Sequence, residues 1–486
     1  MRAPDRSFTV SVLARSLALA LAGLALADGI GVAAMPVRIR DLPKAPRHAN
    51  ARPVPAGSNL TITNCADSGA GSLRQAMLDA HNNTTVDFSQ LHCSTITLTT
   101  GALTDPNTDS LHLLATPAVV NGKPRPVVTI DAGTASRVIE HRSGGELELR
   151  GITLTHGHSS AGKGGCLYAM GHVTLTAVTV SDCAAVATGT NAALGGGIWS
   201  DDQVDLVYST VSGNVALATP GGYAYGGGVF STYGLYSVFS SIQSNDATGI
   251  GYGGGVSVVG YASVKSSTIN ANIAAYGAGL ALFGAGSGPG DLSILNSTIS
   301  SNHATGFAAG IEASGPLDVY NSTIAFNIGD HANTANDAAG IVIEGAHPLM
   351  LVSSIVARNT QGGIVHDIGG SGTVAGSTNL VMNSTLALPA GTLSADPLLN
   401  LFGNYGGQTN LLGLQPNSPA INAGSNPLNT LCDQRGGSFV LPFGTAGVYE
   451  RKVGAATDIG AFEYGAGDKL FADGFEVVQT FSCYPG

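Results

Sequence analysis

Between residues 147 and 380, apolar and polar positions recur as one repeated unit. Leu154, Val180, Val211, Ile242, Ile269, Ile299, Ile324 and Ile355 mark an apolar position that returns every 25 to 31 residues. Five of them are followed three positions later by Asn: Asn214, Asn245, Asn272, Asn302 and Asn327. A variable stretch then leads to a small-residue triplet, as in Gly195-Gly196-Gly197, Gly226-Gly227-Gly228, Gly253-Gly254-Gly255 and Gly277-Ala278-Gly279. A fixed period of this length is the mark of a solenoid. Inside each unit the apolar residues alternate, as in Val173 and Leu175, Val204 and Leu206, or Leu292 and Ile294. That alternation predicts strands with one face turned inward. The segments are short and rich in Gly, Ser, Thr and Val, which disfavours helix. About three such strands per coil, stacked on the coil before, predict an all-β fold, the parallel β-helix.

Stacking turns equivalent positions into columns. An Asn column suits a sharp bend, since Asn tolerates left-handed backbone and bonds to neighbouring main chain. The Gly triplets let the chain re-enter the sheet with φ above zero or in close approach. A solenoid must cover its ends. Near the N-terminus, Leu73, Ala76, Met77 and Ala80 fall on one helical face, and Ser72 with Gln75 reads as a capping box. A short capping helix is expected there. The chain accordingly divides into a leader (1–27), a Pro/Ala/Arg-rich spacer (28–57), an N-terminal cap with irregular first coils (58–150), regular coils (151–380), a C-terminal capping region (381–464) and a tail (465–486).

The leader has Arg2, Arg6 and Arg15, an apolar run from Leu17, and Ala25-Leu26-Ala27 at its end. That is the pattern of a secretory signal peptide, too short to span a bilayer. No later segment reads as a transmembrane span. Export makes the six cysteines disulfide candidates. Pairing by proximity gives Cys65 with Cys93, Cys166 with Cys183 and Cys432 with Cys483, and a metal-bound or free thiol is the alternative. Without the leader, 18 basic side chains face 31 acidic ones, and residues 147–380 hold only four basic residues. Such a chain offers no basic face for nucleic acid.

Several blocks resemble known families. Asp67 to Ala76 is similar to the opening of CSLREA-type bacterial surface proteins, although Ala70-Gly71 precede Ser72 and no Cys adjoins it. Asp396-Pro397, Gly406 to Thr409, Ser418 to Gly424, Asp433 to Gly436 and Asp458 to Glu463 resemble, in order, the choice-of-anchor Q domain of exported bacterial β-helix proteins. The coils resemble polymorphic outer-membrane protein repeats, with Ile or Val in place of Phe. The resemblance spans roughly residues 60 to 464 and implies a right-handed parallel β-helix. It also implies export, with an extracellular, outer-membrane or cell-surface location in a Gram-negative bacterium. Lys469 to Glu476 is similar to a tail on some secreted Gram-negative proteins. No catalytic residue is carried over.

Three sets of side chains are candidates for chemistry. Tyr225, Tyr252, Tyr276 and Phe307 each precede a Gly-rich triplet and would stack as an aromatic ladder, either a glycan-binding strip or a stiffening stack. Asp201, Asp202 and Asp205, beside the single Trp199, could supply the carboxylates of a polysaccharide hydrolase, against a plain polar turn. His156 and His158 with Asp182 could suggest a metal, but the intervening Gly argues for surface histidines. A lyase lacks the cations it needs. The reading is a non-catalytic, adhesin-like protein contacting glycans or cell-surface polymers, with no cofactor and no metal. A carbohydrate-active enzyme, a hydrolase before a lyase, is the alternative.

Overall fold

A computed structural model describes residues 57–467, apart from 106–108, 190, 220, 285–289, 333–335, 441–443 and 447, together with residues 483–484. The leader, nearly all of the spacer and most of the tail lie outside the described residues. The alternating segments stack into four long sheets of 12, 11, 9 and 10 strands, here sheets 1 to 4, parallel except where Ile364–Val365 closes the end of sheet 3 against Thr360–Gln361. Each coil visits sheet 4, then 1, 2 and 3, as in Val229–Ser231, Gly234–Val238, Ser241–Gln243 and Asp246–Thr248. Like residues sit over like: Leu147, Val173, Val204, Leu235, Ala262, Leu292, Leu317 and Leu349 form one inward column. All eight have no solvent exposure. Burying a side chain of this kind contributes roughly 1.5–3 kcal/mol, so the interior drives the stacking.

The corners show why Asn recurs. Left-handed backbone falls on the residue before each Asn, at Gly213, Ser244, Ala271, Ser301 and Phe326, and not on Asn itself. The Asn side chain is thereby left to bridge coils. The amide and Nδ2 of each Asn donate to Oδ1 of the Asn in the next coil, from Asn214 through Asn327 to Asn359. A corner buried without such partners would leave main-chain donors unpaired. Asn359 was hidden by a one-residue register difference: Ile324 stacks on Val356, and Ile355 faces outward against Thr323. The rung-to-rung bonds all run toward the C-terminal end, while each Nδ2 also donates back to a carbonyl of the preceding coil, so the last rung needs a pure acceptor. Asp367 supplies it, its Oδ1 accepting the amide of Asn359 at 2.9 Å and its Nδ2 at 2.8 Å. A parallel series follows at the corner between sheets 1 and 2, where Ser209, Ser240, Ser267, Ser297, Ser322 and Ser354 accept successive amides and Asn379 ends the row.

The triplets split their work. Gly195, Gly226, Gly253 and Gly277 take positive φ. The second Gly has no room for a side chain: a Cβ at Gly227 would lie 2.4 Å from the Gly254 carbonyl oxygen. At the N-terminal end, helix α1 (Leu73–Asp79) plugs the core with Leu73, Ala76 and Met77. Ser72 caps it by accepting the Gln75 amide, but the Gln75 side chain bonds Asp79, so half of the expected capping box forms. Arg74 reaches Asp67 at 2.6 Å and the carbonyls of Gly101 and Ala102.

The C-terminal region does two jobs. Leu386 and Leu388 pack against the open end of the core, and Leu393 pairs with Leu380. Residues beyond 397 then turn back along the outer face of sheet 2. Gln434 bonds Thr298 and Thr268, and the Ala461 amide donates to Thr323. Thr268, Thr298, Thr323 and Ile355, outward residues of sheet 2, are consequently buried. The sulfurs of Cys65 and Cys93, Cys166 and Cys183, and Cys432 and Cys483 are bonded.

Removing one rung strands several buried groups at once. Asn272→Ala takes the acceptor from the amide and side chain of Asn245 and the donor from the Ile242 carbonyl. At roughly 1–3 kcal/mol for each unpaired buried group, the expected loss exceeds about 3 kcal/mol in equilibrium urea unfolding. A loss below about 1 kcal/mol would show that the ladder is dispensable.

Candidate functional site

The outer face of sheet 4 carries one column in strict register: Tyr168, Trp199, Phe230, Ser257, Ala281, Glu312 and Val342. Beside it runs the segment that links sheet 3 back to sheet 4. In it lie the short parallel strands Ala193–Leu194, Tyr223–Tyr225 and Ile250–Tyr252. The column spacing stacks the rings of this segment. Tyr225 lies 5.5 Å from Tyr252, Tyr252 lies 5.1 Å from Tyr276, and Tyr276 lies 4.9 Å from Phe307. The rings do not form a flat exposed strip. They lean on sheet 4, with Tyr225 against Phe230 and Phe283 and with Tyr252 against Phe283, and each is half-buried. The ladder is therefore an aromatic wall packed along the outer face of sheet 4.

The two ends of this face differ in charge. At the N-terminal end, Tyr168 and Trp199 stack at 4.5 Å, with Lys163 4.3 Å over the Trp199 ring and Arg137 5.2 Å over Tyr168. Such cation–ring contacts hold both partners in place. Toward the C-terminal end stands Glu312, 7% exposed, with one carboxyl oxygen lacking any hydrogen-bond partner. Gly277, the first residue of its triplet, makes room for it, since a Cβ there would lie 3.0 Å from Glu312 Cβ. Burial pushes the Glu312 carboxyl up to about 8, and the nearby Glu344 adds to this. The phenols of Tyr225 and Tyr252 are shifted up as well, first by burial and then by their neighbours, Glu312 among them.

Glu344 extends the pairing of the two strands, its amide donating to the Ala313 carbonyl at 2.9 Å. It sits one strand over from Glu312 and two residues along, hence on the same face and about 8 Å away between backbone positions. Its carboxyl is also raised, by burial and then by Asp337. Asp337 in turn lies 3.5 Å from His331. A neutral carboxyl can donate a proton and a nearby carboxylate can accept one, so this pair has the parts for acid–base work.

The residues nominated from sequence fare differently. Asp201 and Asp202 occupy the turn between sheets 4 and 1, where Asp202 accepts the Gln203 amide and Thr232 donates to Asp201. Asp205 faces outward from sheet 1 and is engaged by Gln203 and by His172 at 3.2 Å. His156, at positive φ, bonds Asp131, while His158 lies in sheet 3 beside Ala184. Among the described residues no three His, Cys, Asp or Glu side chains converge as a metal cage. Glu312 and Glu344 escaped the sequence reading. The signal was a register one: Glu312 is the acid in a column otherwise filled, in neighbouring coils, by Phe230, Ser257, Ala281 and Val342.

No family model matches the chain, and no curated protein matches it. Among solved structures, the crystal structure of pectate lyase Pel9A is similar, at 14% identity and a TM-score of 0.44, over 84% of this chain and 97% of that one. The likeness is one of backbone course. The choice-of-anchor Q resemblance rests on its sequence blocks alone.

Glu312 makes stability depend on pH in a direction that can be worked out. Its ordinary value is 4.5 and its folded value about 8, so between the two the folded chain keeps a proton that the unfolded chain has lost. Stability therefore falls as pH rises through that window and levels off above it. Glu312→Gln, neutral and of the same shape, is expected to match the parent near pH 4 and to exceed it by several kcal/mol above about pH 8. Superimposable unfolding curves at both pH values would show that Glu312 ionises freely.

Proposed function

We propose that the chain is a carbohydrate-active enzyme that seats polysaccharide along the aromatic wall and acts on it beside Glu312. The single supporting observation is Glu312 itself. A carboxyl nine-tenths buried under aromatic rings, with one oxygen unpartnered, costs stability that a structural residue of the same size would not. Costly, perturbed carboxyls of this kind concentrate where proton transfer is needed. The wall supplies the other requirement, because the apolar faces of sugar rings pack on aromatic faces. An adhesin-like role would use the wall alone and leave Glu312 without a purpose. Three disulfides suit an extracellular setting, where polysaccharide is met. Attachment to an outer membrane or cell surface rests on the sequence resemblance.

The test is a pairing of binding with cleavage. Residues 28–486 are offered polygalacturonate, xylan, arabinan and mixed-linkage β-glucan, with retention in affinity gels read beside release of sugar ends. Cleavage of at least one polymer is expected, reduced about 100-fold or more in Glu312→Gln with retention unchanged. Tyr252→Ala is expected to weaken retention roughly fivefold. Retention without cleavage in the parent protein would replace the enzyme by the adhesive role.

A further inference from the structure

We propose that Asp105, His141 and Ser143 form an acyl-transfer triad that hydrolyses short carboxylic esters; this goes beyond the polysaccharide cleavage proposed above and does not rest on it. The stacking of coils brings the three together. Leu103 pairs with Ile139 and Thr104 with Glu140, so Asp105, next along, comes to lie one coil beneath His141. His141 ends its strand on the inward side of sheet 4, where the following coils place Ala169, Ser200 and Ser231. Both side chains are enclosed, at 0% exposure for His141 and 1% for Asp105. The chain then turns toward sheet 1, and that turn returns the Ser143 hydroxyl to the ring.

His141 Nδ1 lies 2.5 Å from Asp105 Oδ2, and Nε2 lies 2.9 Å from Ser143 Oγ. A nucleophile, its base and the group that orients the base require this order. A carboxylate on Nδ1 fixes the tautomer and leaves the lone pair of Nε2 for the hydroxyl proton. Asp105 Oδ1 is buried with no hydrogen-bond partner among the described residues. A carboxylate enclosed in this way is costly, and the partner it has is His141. Ser143 carries one hydroxyl proton and has two acceptors in reach, His141 Nε2 and the Asp109 carbonyl at 2.8 Å. Rotation of the hydroxyl passes the proton from one to the other without moving the oxygen. The Gly145 amide points at Oγ from 3.4 Å, and the Gly145 carbonyl lies 3.3 Å from Nε2. The first favours charge on Oγ as its proton leaves, and the second accepts from Nε2 once the ring is protonated.

Unlike its partners, Ser143 is only half-buried, between the exposed Arg142 and Gly144. A Cβ added to Gly144 would meet nothing within 4 Å, so a substrate carbonyl has room beside the hydroxyl. The flanking side chains are polar, Arg142 in the turn and Asp109 and Ser110 in the coil beneath. They offer no apolar surface to a long acyl chain, which points to esters of acetyl size.

The reaction balances with water as the other reactant. Ser143 Oγ bonds the ester carbonyl carbon while its proton passes to His141 Nε2. The bond from that carbon to the alkoxy oxygen then breaks, and Nε2 gives the proton to the departing alcohol. Water attacks the acyl carbon on Ser143, losing a proton to Nε2, and the acyl–Oγ bond breaks as Oγ takes that proton back. The products are an alcohol and a carboxylic acid. Asp105 acts through the ring as a positioning residue, holding its tautomer and offsetting its charge.

In the decisive experiment residues 28–486 are treated with a fluorophosphonate, which bonds an activated serine oxygen with loss of fluoride, and the labelled peptide is identified by mass spectrometry. Labelling of Ser143 is expected. Release of nitrophenol from p-nitrophenyl acetate is expected to fall about 100-fold or more in Ser143→Ala. Asp105→Asn keeps the side-chain shape and is expected to lower kcat about 100-fold or more with KM little changed, a split that loss of a structural contact would not give. Ser143 is half-exposed in a turn, so its replacement leaves the enclosed pair intact and carries the test even where Asp105→Asn does not fold. An unlabelled Ser143 in the parent protein, or acetate hydrolysis unchanged in Ser143→Ala, would overturn the triad. Faster hydrolysis of the octanoate ester than of the acetate would overturn the acyl-size assignment.

Discussion

A buried row of side-chain amides holds this molecule in register. Each coil must turn sharply inside a closed stack, and at the turn its main-chain amide faces no strand partner. Asn214, Asn245, Asn272, Asn302, Asn327 and Asn359 meet that demand by accepting from the coil before and donating to the coil after. Because each rung is both donor and acceptor, the row has a direction, and a direction needs an end. Asp367 is that end, a carboxyl that burial pushes up to about 6 while four hydrogen bonds, from Asn359, Asn383 and Met382, pull it back toward the ionised form. The Ser row at the opposite corner repeats the logic with a shorter side chain. With both corners pinned, the strands between them cannot slip.

Fixed register is what lines up the aromatic face. A slip of one residue would exchange inward and outward faces throughout a strand. Held in place, residues one coil apart in the chain become neighbours in a line: Tyr168, Trp199 and Phe230 on the sheet, Tyr225, Tyr252 and Tyr276 on the wall. The wall leans inward because Phe230 and Phe283 offer it apolar surface. Ser257, Ala281 and Glu312 are buried on the same face. The raised carboxyl is thus a consequence of its burial on this face, with Glu344 adding to it.

The C-terminal blocks find their reason in docking rather than chemistry. Arg435 is paired with Asp433 at 2.6 Å and held between Tyr449 and Phe462, each ring centre 4.2 Å away. Asp458 accepts the amides of Asn422 and Tyr464, Glu463 accepts those of Val453 and Asp458, and Gln434 reaches across to sheet 2. These contacts lay the region along the flank of the solenoid and shield a sheet face that would otherwise be wet. A region of this kind stabilises the scaffold by covering sheet 2.

How far the sequence reached follows from the range of the forces involved. Period, strand alternation, the Asn column, the helix at Leu73–Asp79 and the aromatic series are local or strictly periodic features, and a single chain displays them in order. A period defines a column to within one residue only where the repeat is regular. At Ile355 the pattern offered two adjacent apolar residues, and the choice of Val356, with Asn359 as a further rung, belonged to the stack. The same holds for which residue of each corner takes left-handed backbone, since that depends on where the neighbouring coil places its acceptor. Glu312 and Glu344 were least legible of all. Nothing local marks an isolated acid as desolvated; that came from the rings that fold over one and the strand pairing that sets the other beside it. The sequence by itself determined a stack of coils with an aromatic column. Only the tertiary structure decided that the column closes over an acid, because burial is a property of what surrounds a residue and not of the residue.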